Sequence, residues 1–145
     1  MSKITVDKVV GYVTQRDKLL VFSHPNSPGA RIQVPAGTVE AGESLNDAIL
    51  RVVREETGLS DLNILSFLGV REYDMSPLGK AEIHRRHFYH VSFLGEAPPT
   101  WVHCETSGGR SEPIAFEFFW AELPNGVPDL IAGQGELLAG LDVSS

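Results

Sequence analysis

The chain has 145 residues, a hydrophobic composition of 42% and a formal net charge of −7. This length predicts one domain over residues 1–145 with a substantial buried core. The negative charge argues against binding to long nucleic acid, which requires a basic patch, but it is compatible with a small phosphorylated substrate if a bound metal reverses the local charge.

The sequence also excludes several other classes of protein. Its single cysteine, Cys104, cannot form a disulfide within the chain. No apolar run reaches the length of a membrane span, and the first residues lack the apolar region and cleavage site of a signal peptide. We therefore expect a cytoplasmic protein without a membrane partner.

Strand-like segments separated by turn signals occur along most of the chain, and there is no internal repeat or linker. A helix is predicted near the C-terminus, beginning at Pro128 or Asp129 and ending at about Leu141. Together with the helix described next, these elements indicate an α/β fold in which a mixed sheet lies between helices. The predicted strands are Lys3–Thr14, Lys18–Ser23, Ile64–Tyr73, His84–Leu94 and Ile114–Leu123.

The segment after the second strand predicts a capped helix. Ser44 is a favourable N-cap, and Gly58 is a favourable left-handed stop after Thr57. At 100° per residue, one side of this helix is apolar. That apolar side consists of Leu45, Ala48, Ile49, Val52 and Val53.

Glu56 projects into the middle of the apolar side, and Glu55 lies at its edge. A charge in such a place is usually paired, protonated or bound to a metal. One interpretation is an ion pair between Glu56 and Arg31, Arg51 or another cation. The other is a site for Mg²⁺ or Mn²⁺, because hard cations prefer clustered oxygen ligands. The neighbouring carboxylates favour the metal.

The stretch GTVEAGESLNDAILRVVREETGL, from Gly37 to Leu59, resembles the signature box of the Nudix hydrolases, G-x5-E-x7-R-E-U-x-E-E-x-G-U, in which U is a bulky aliphatic residue. One box position departs from the pattern, because Val52 stands where the family has a glutamate. The residues in register are Gly37, Glu43, Arg51, Val53, Glu55, Glu56, Gly58 and Leu59.

This resemblance implies a fold, a reaction and a cofactor. The fold would be the Nudix α/β/α sandwich with a mixed β-sheet. The reaction would be hydrolysis of a phosphoanhydride in a nucleoside diphosphate linked to another moiety, with Mg²⁺ or Mn²⁺ as the cofactor. A small nucleotide would then be the substrate, and a homodimer is compatible with the family.

The resemblance also implies a role for each matched residue. Glu55 and Glu56 would be catalytic metal ligands, and the carbonyl of Gly37 would add another oxygen. Arg51 and Glu43 would form an ion pair that holds the loop against the helix, and Gly58 would end that helix.

Val52 removes a glutamate that binds metal or acts as a base in the family. A glutamate from the region ahead of Trp120 in the last strand could replace it, and the candidates there are Glu105, Glu112 and Glu117. Alternatively, water polarised by metal alone could attack. Low activity is expected in either case, and the competing interpretation is a degenerate module that binds nucleotides or proteins without turnover.

Three arginines are candidates for binding the substrate phosphate, because a guanidinium group recognises phosphate bidentately. Arg31 precedes the box, and Arg71 and Arg86 lie on successive predicted strands. The alternative is that they are solvated charges at the edge of the sheet. No motif distinguishes one nucleotide substrate from another.

Overall fold

The computed structural model describes residues 3–24, 32–105, 114–123, 126–127, 130 and 134–141. Within these residues the chain forms seven strands and one α-helix, with 3₁₀ helices at Ser76–Leu78 and Leu138–Gly140. The elements in chain order are β1 (Ile4–Gln15), β2 (Lys18–Ser23), β3 (Ala36–Thr38), α1 (Leu45–Thr57), β4 (Leu62–Asp74), β5 (Glu82–Phe93), β6 (Thr100–Glu105) and β7 (Ile114–Glu122).

The strands form one mixed sheet, which confirms the predicted α/β class. Six strands follow the order β4-β5-β1-β2-β7-β6, and β3 pairs separately with β1. The β1–β5 pair is parallel, and the other pairs are antiparallel. The middle of β1, residues 8–10, pairs with β3 and its end pairs with β2, so β3 and β2 follow each other along the same side of β1.

Alternation along the strands divides the core into two layers. On one face of the sheet, α1 packs its apolar side against residues such as Val9, Val13 and Tyr89. On the opposite face, Val10, Tyr12 and Phe88 pack under the C-terminal segment. The two layers therefore contain alternate residues of the same strands.

The layer opposite α1 differs from the predicted one. Part of the predicted C-terminal helix lies outside the described residues, and residues 134–140 form turns and a 3₁₀ helix. Four leucines of this segment pack on the second core layer, Leu130, Leu137, Leu138 and Leu141. Gly133 and Gly135 weaken the helical propensity of the segment, while its leucines still bury apolar surface.

Two strands were not predicted from the sequence. β3 has three residues, too few for an alternating pattern, and β6 is a six-residue edge strand that pairs with β7. β6 is held at the end of α1, where Trp101 Nε1 donates a hydrogen bond to the carbonyl of Thr57 (3.0 Å) and His103 Nε2 donates one to the carbonyl of Glu55 (3.0 Å). These bonds satisfy two carbonyls of the last helical turn.

Within the described part of the chain, none of the helices has the length and apolar character needed to cross a membrane.

Candidate active site

The helix that carries the site begins and ends as the sequence predicts. Ser44 Oγ accepts a hydrogen bond from the backbone N–H of Asp47 (3.1 Å), which caps the first turn. Gly58 adopts a left-handed conformation with φ of 78°, and its N–H donates to the carbonyl of Arg54 (2.9 Å). Both ends of α1 are therefore fixed by local sequence.

Val52 lies in the contact between α1 and β3. Its exposed fraction is 3%, and it belongs to the core layer under α1. A Cβ atom added to Gly37 would lie 2.8 Å from Val52 Cγ2, closer than real Cβ atoms approach. The absence of a side chain at Gly37 thus lets the helix approach the strand, and Val52 fills the space between them.

Two other side chains of α1 bind the backbone of β3 on either side of that contact. Glu56 Oε1 accepts a hydrogen bond from the N–H of Ala36 (2.8 Å), and Arg51 Nη2 donates one to the carbonyl of Thr38 (2.8 Å). These backbone groups face away from β1, so the helix supplies the partners that a further strand would otherwise provide. The carboxylate of Glu56 is thereby held at the outer edge of β3.

Arg51 and Glu43 form the ion pair that the box predicts. Arg51 Nε and Nη2 donate to the two carboxylate oxygens of Glu43 at 2.7 and 2.9 Å, and Glu43 also accepts from the N–H of Glu40 at 3.0 Å. The hydrogen bond from Arg51, with the smaller effect of the Glu40 N–H, lowers the pKa of Glu43 to about 2. The pair joins the loop after β3 to the middle of α1.

Glu55 points in a different direction from Glu56. Its side chain is 41% exposed and lies 3.3 Å from Arg51 Nη1. Glu56 does not pair with Arg51, whose contacts go to Glu40, Glu43, Glu55 and Thr38. The interpretation of an ion pair at Glu56 therefore stays a prediction for its other named partners, Arg31, which lies outside the described residues, or another cation.

The donor atoms near the box have the right chemistry for Mg²⁺ or Mn²⁺, because carboxylate oxygens suit hard cations. Their number is low, however. Within the described ranges, no three side chains of Asp, Glu, His or Cys come close enough together to hold a metal ion. Val52 accounts for part of this shortage, since a glutamate there would lie one helical turn from Glu56.

The carbonyl of Gly37 is directed at β1. Gly11 N–H donates to the carbonyl of Pro35 (2.8 Å) and Val39 N–H donates to that of Asp7 (3.0 Å). Hydrogen-bonded pairs recur at every second residue of an antiparallel ladder. Val9 and Gly37 lie midway between the two bonded pairs just named, so they form a hydrogen-bonded pair themselves, and the Gly37 carbonyl accepts from Val9. A metal-ligand role for Gly37 stays a prediction and would use the second lone pair of its carbonyl.

Of the three candidate carboxylates from the later part of the chain, the structure describes the side chain of Glu117. Glu117 is exposed on β7, between Phe116 and Phe118, which pack in the layer under α1. Alternation directs Glu117 to the opposite face of the sheet. Glu112 and the side chain of Glu105 lie outside the described residues, so their catalytic role stays a prediction.

Two of the three candidate arginines lie together on the face opposite α1. Arg71 of β4 is the register partner of Arg86 of β5, and the guanidinium of Arg86 lies 4.1 Å from the ring centre of Tyr73. Arg31 lies outside the described residues. The predicted phosphate role of these arginines stays a prediction, but the structure brings Arg71 and Arg86 side by side.

Sequence reasoning missed two charged residues beside these arginines. Lys8 of β1 is the register partner of Arg86 on its other side, and Glu136 lies 4.0 Å from Arg71. Alternation with Val10 and Tyr12 could have assigned Lys8 to this face. No local signal indicated Glu136, because its position depends on how the C-terminal segment packs.

Comparison with known proteins decides the family. The family model described as NUDIX domain matches residues 5–129. The chain belongs to the NUDIX family. The Nudix box is thus embedded in a match that covers most of the chain.

Among curated relatives, the NAD-capped RNA hydrolase NudC of Vibrio parahaemolyticus is 37% identical over 59 residues, which are 41% of this chain and 23% of that protein. The ADP-ribose pyrophosphatase of Methanocaldococcus jannaschii is 36% identical over 63 residues, which are 43% of this chain and 37% of that protein. The matched segments thus span less than two-fifths of these relatives, both of which are named as enzymes that hydrolyse their substrates.

A solved structure of similar fold is the MutT NUDIX hydrolase from Burkholderia pseudomallei. Its TM-score is 0.61 at 18% sequence identity, and the alignment covers 95% of this chain and 98% of that one. This likeness confirms the Nudix fold of the chain.

The Nudix ion pair predicts a pH dependence of stability. The pKa of Glu43 falls from 4.5 to about 2 on folding, so its stabilising effect is complete above about pH 4.5 and is lost as the pH falls toward 2. We expect the difference in free energy of unfolding between wild type and Glu43→Gln, measured with urea, to shrink over this window. Glu96→Gln, at an exposed carboxylate, is the control. A constant difference between pH 6 and pH 3 would contradict the pairing.

A second prediction concerns the space between Gly37 and Val52. Gly37→Ala should destabilise the fold by about 1–3 kcal/mol, because the added methyl group overpacks the contact. The cost of the same change should be much smaller in a Val52→Ala background. Gly140→Ala is the control, since its new Cβ would meet only ordinary contacts at 3.8 Å. Equal costs of Gly37→Ala in both backgrounds, measured by thermal unfolding, would show that Val52 does not limit this approach.

Proposed function

We propose that the chain hydrolyses a phosphoanhydride bond in a nucleoside diphosphate linked to another moiety, with Mg²⁺ or Mn²⁺ as the cofactor. The observation that carries this proposal is the carboxylate of Glu56, which the Nudix helix holds at the outer edge of β3 beside Gly37. Glu56 matches the box pattern, and its carboxylate binds the residue that precedes the glycine of the box.

The substrate class is supported by the names of the relatives. One is named for NAD-capped RNA and the other for ADP-ribose. Both names describe a nucleoside diphosphate joined to a further group. We therefore take a small nucleotide derivative of this kind as the substrate, without choosing among its members.

In this proposal Glu56 is the principal metal ligand. Glu55 and the Gly37 carbonyl are secondary ligands, and Glu55 must turn away from Arg51 to contribute. The bound cation would neutralise charge on the phosphate oxygens. The ion pair of Arg51 with Glu43 keeps the loop and helix in register, and Gly58 ends the helix beyond the carboxylates.

The reaction adds water to a phosphorus atom and breaks one P–O bond of the anhydride. A base is needed to take the proton of that water, and Glu112 is the better candidate, because Glu117 lies on the sheet face away from α1. Arg71 and Arg86 would bind phosphate oxygens, with Arg31 as a third candidate. Catalysis of this type depends mainly on positioning and charge stabilisation.

Val52 weakens the proposed enzyme. A valine supplies no ligand, and it is buried against Gly37 at the position where the Nudix box has a glutamate. The expected result is low metal affinity and slow turnover. The proposal also retains the single-domain organisation over residues 1–145, the cytoplasmic location and a homodimer as predictions.

A second candidate function is a Nudix module that binds nucleotides without hydrolysis. It is favoured by the position of Val52 in the core and by the low number of carboxylates that gather among the described residues. The two functions make opposite predictions for metal binding and for restoration of the missing glutamate.

The first prediction of the enzyme proposal concerns the metal. Isothermal titration with MnCl₂ should detect binding to wild type, and Glu56→Gln should reduce the affinity by about tenfold or more, because a principal carboxylate ligand is lost. Glu96→Gln is the matched control and should bind like wild type. Equal Mn²⁺ affinity in Glu56→Gln and wild type would remove Glu56 from the metal site.

The second prediction concerns Val52→Glu. The new carboxylate lies one turn from Glu56, so hydrolysis of ADP-ribose should rise by about tenfold, equivalent to about 1.4 kcal/mol of transition-state stabilisation. The melting temperature should fall, because a charge replaces a buried valine. Val52→Gln is the control, since a glutamine side chain has nearly the same shape as a glutamate side chain but carries no charge.

The comparison with Val52→Gln separates the two functions. Val52→Gln should lose stability without gaining activity. If Val52→Glu also loses stability and gains nothing in the presence of Mn²⁺, the binding module replaces the enzyme as the better account.

A further inference from the structure

Three cations lie in a row across the sheet face opposite α1. Register pairs Lys8 of β1 with Arg86 of β5, and Arg86 with Arg71 of β4. Lys8 and Arg86 share this face with Val10 and Phe88, which pack in the core layer under the C-terminal segment. Neighbouring strands are about 4.8 Å apart, so the row spans about 10 Å. Like charges directly opposite each other are unfavourable in a sheet unless an anion compensates them.

The environment of the row increases this repulsion. Burial lowers the pKa of Lys8, and the nearby cations Lys80 and Arg86 lower it further. Burial also lowers the pKa of Arg86. The protein thus holds two half-buried cations next to each other, which favours the binding of an anion between them.

One carboxylate of the protein already approaches the row. Glu136 accepts a hydrogen bond from the hydroxyl of Tyr73 and lies 4.0 Å from Arg71 Nε. Burial, followed by the contact with Glu136, raises the pKa of Tyr73 to about 12, so its hydroxyl keeps the proton that it donates. Arg86 stacks on the ring of the same Tyr73 at 4.1 Å. The carboxylate of Glu136 thus lies beside both Arg71 and the hydroxyl of Tyr73.

The segment carrying Glu136 is fixed on both sides of it. On the N-terminal side of Glu136, the side-chain oxygen of Gln134 accepts a hydrogen bond from the N–H of Val34 (2.8 Å). The backbone carbonyl of Gln134 accepts one from the hydroxyl of Tyr12. After it, the N–H of Leu137 donates to the same Tyr12 hydroxyl (3.3 Å). These anchors hold Glu136 over Tyr73.

Glu136 compensates only part of the positive charge. Among the described residues, no carboxylate pairs with Lys8, whose Nζ donates instead to Thr38 Oγ1 at 2.5 Å. The nearby carboxylate of Glu82 is bonded to His84 Nε2 at 2.8 Å. In the described part of the chain, the carboxylates near the row are Glu136 and Glu82, against its three cations and the neighbouring Lys80.

The row also reaches the candidate active site. Lys8 binds Thr38, while Glu56 binds Ala36, two residues earlier on the same strand. Two residues of a strand span about 7 Å. A diphosphate can bridge such a distance between the carboxylate end of the Nudix helix and the cation row.

We propose that Lys8, Arg71 and Arg86 form a phosphate subsite and that the carboxylate of Glu136 occupies it as an internal competitor. The ligand is the diphosphate group of a nucleoside diphosphate derivative, an identification that rests on the proposed function. When it binds, its oxygens replace Glu136 at Arg71 and the hydroxyl of Tyr73. Glu136 thereby limits the affinity for substrate and product.

The test measures binding without metal or turnover. Isothermal titration of the full chain with inorganic pyrophosphate, and separately with ADP, is carried out in EDTA at low salt. Lys8→Gln should weaken both affinities by about tenfold, the effect of losing one charged hydrogen bond. Glu136→Gln should strengthen both by about fivefold, because it removes a surface charge that repels the ligand.

Two variants at exposed positions near the other end of the sheet provide matched controls. Lys18→Gln makes the same charge change as Lys8→Gln, and Glu96→Gln makes the same change as Glu136→Gln. Neither should change the affinity by more than the general effect of net charge. Thermal melts of all four variants verify that binding is compared between folded proteins.

Two results would overturn the proposal. Unchanged affinity in Lys8→Gln would remove the cation row as the binding site, and weaker binding in Glu136→Gln would make Glu136 a positioning residue rather than a competitor. Because the titrations contain no metal, they are independent of the hydrolysis assay. If the chain fails to hydrolyse nucleotides but Lys8→Gln weakens and Glu136→Gln strengthens binding, the proposed function fails and the subsite stands. If the chain hydrolyses nucleotides but the two variants do not change binding in this way, the subsite alone is contradicted.

Discussion

The contact between Gly37 and Val52 is the constraint on which the candidate site depends. Because Gly37 has no side chain, α1 can approach β3 until Val52 fills the gap. On either side of this contact, Arg51 and Glu56 reach the carbonyl and amide groups that β3 turns away from β1. A bulkier residue at position 37 would separate the helix from the strand and break both hydrogen bonds.

This arrangement gives Glu56 two functions that compete. The hydrogen bond to Ala36 helps to fix the helix on β3, and the same carboxylate is the proposed principal ligand for a divalent cation. Val52 packs in the core under the helix, at the box position where the Nudix pattern has a glutamate. Val52 is therefore part of a closed core beneath the box. The cation row around Arg86, on the other face, would contribute to substrate binding.

Much of the fold could be predicted from sequence because the signals are local. The cap at Ser44, the apolar stripe and the stop at Gly58 define α1, and the box spacing identifies the family. Tertiary contacts decide what the sequence could not reveal. Glu55 and Glu56 are adjacent in sequence, yet one turns to Arg51 and the other to β3. The cation row requires the register of three strands, and the placement of Glu136 requires the packing of a segment without regular helical pattern.

The most direct test of the account is a crystal structure of the chain with MnCl₂ and ADP-ribose, analysed by anomalous diffraction at the manganese edge. We expect an anomalous peak within ligand distance of Glu56, with a diphosphate oxygen among the ligands and the nucleotide extending toward the cation row. Manganese density located elsewhere while nucleotide occupies the site, with Glu56 still bonded to Ala36, would contradict it.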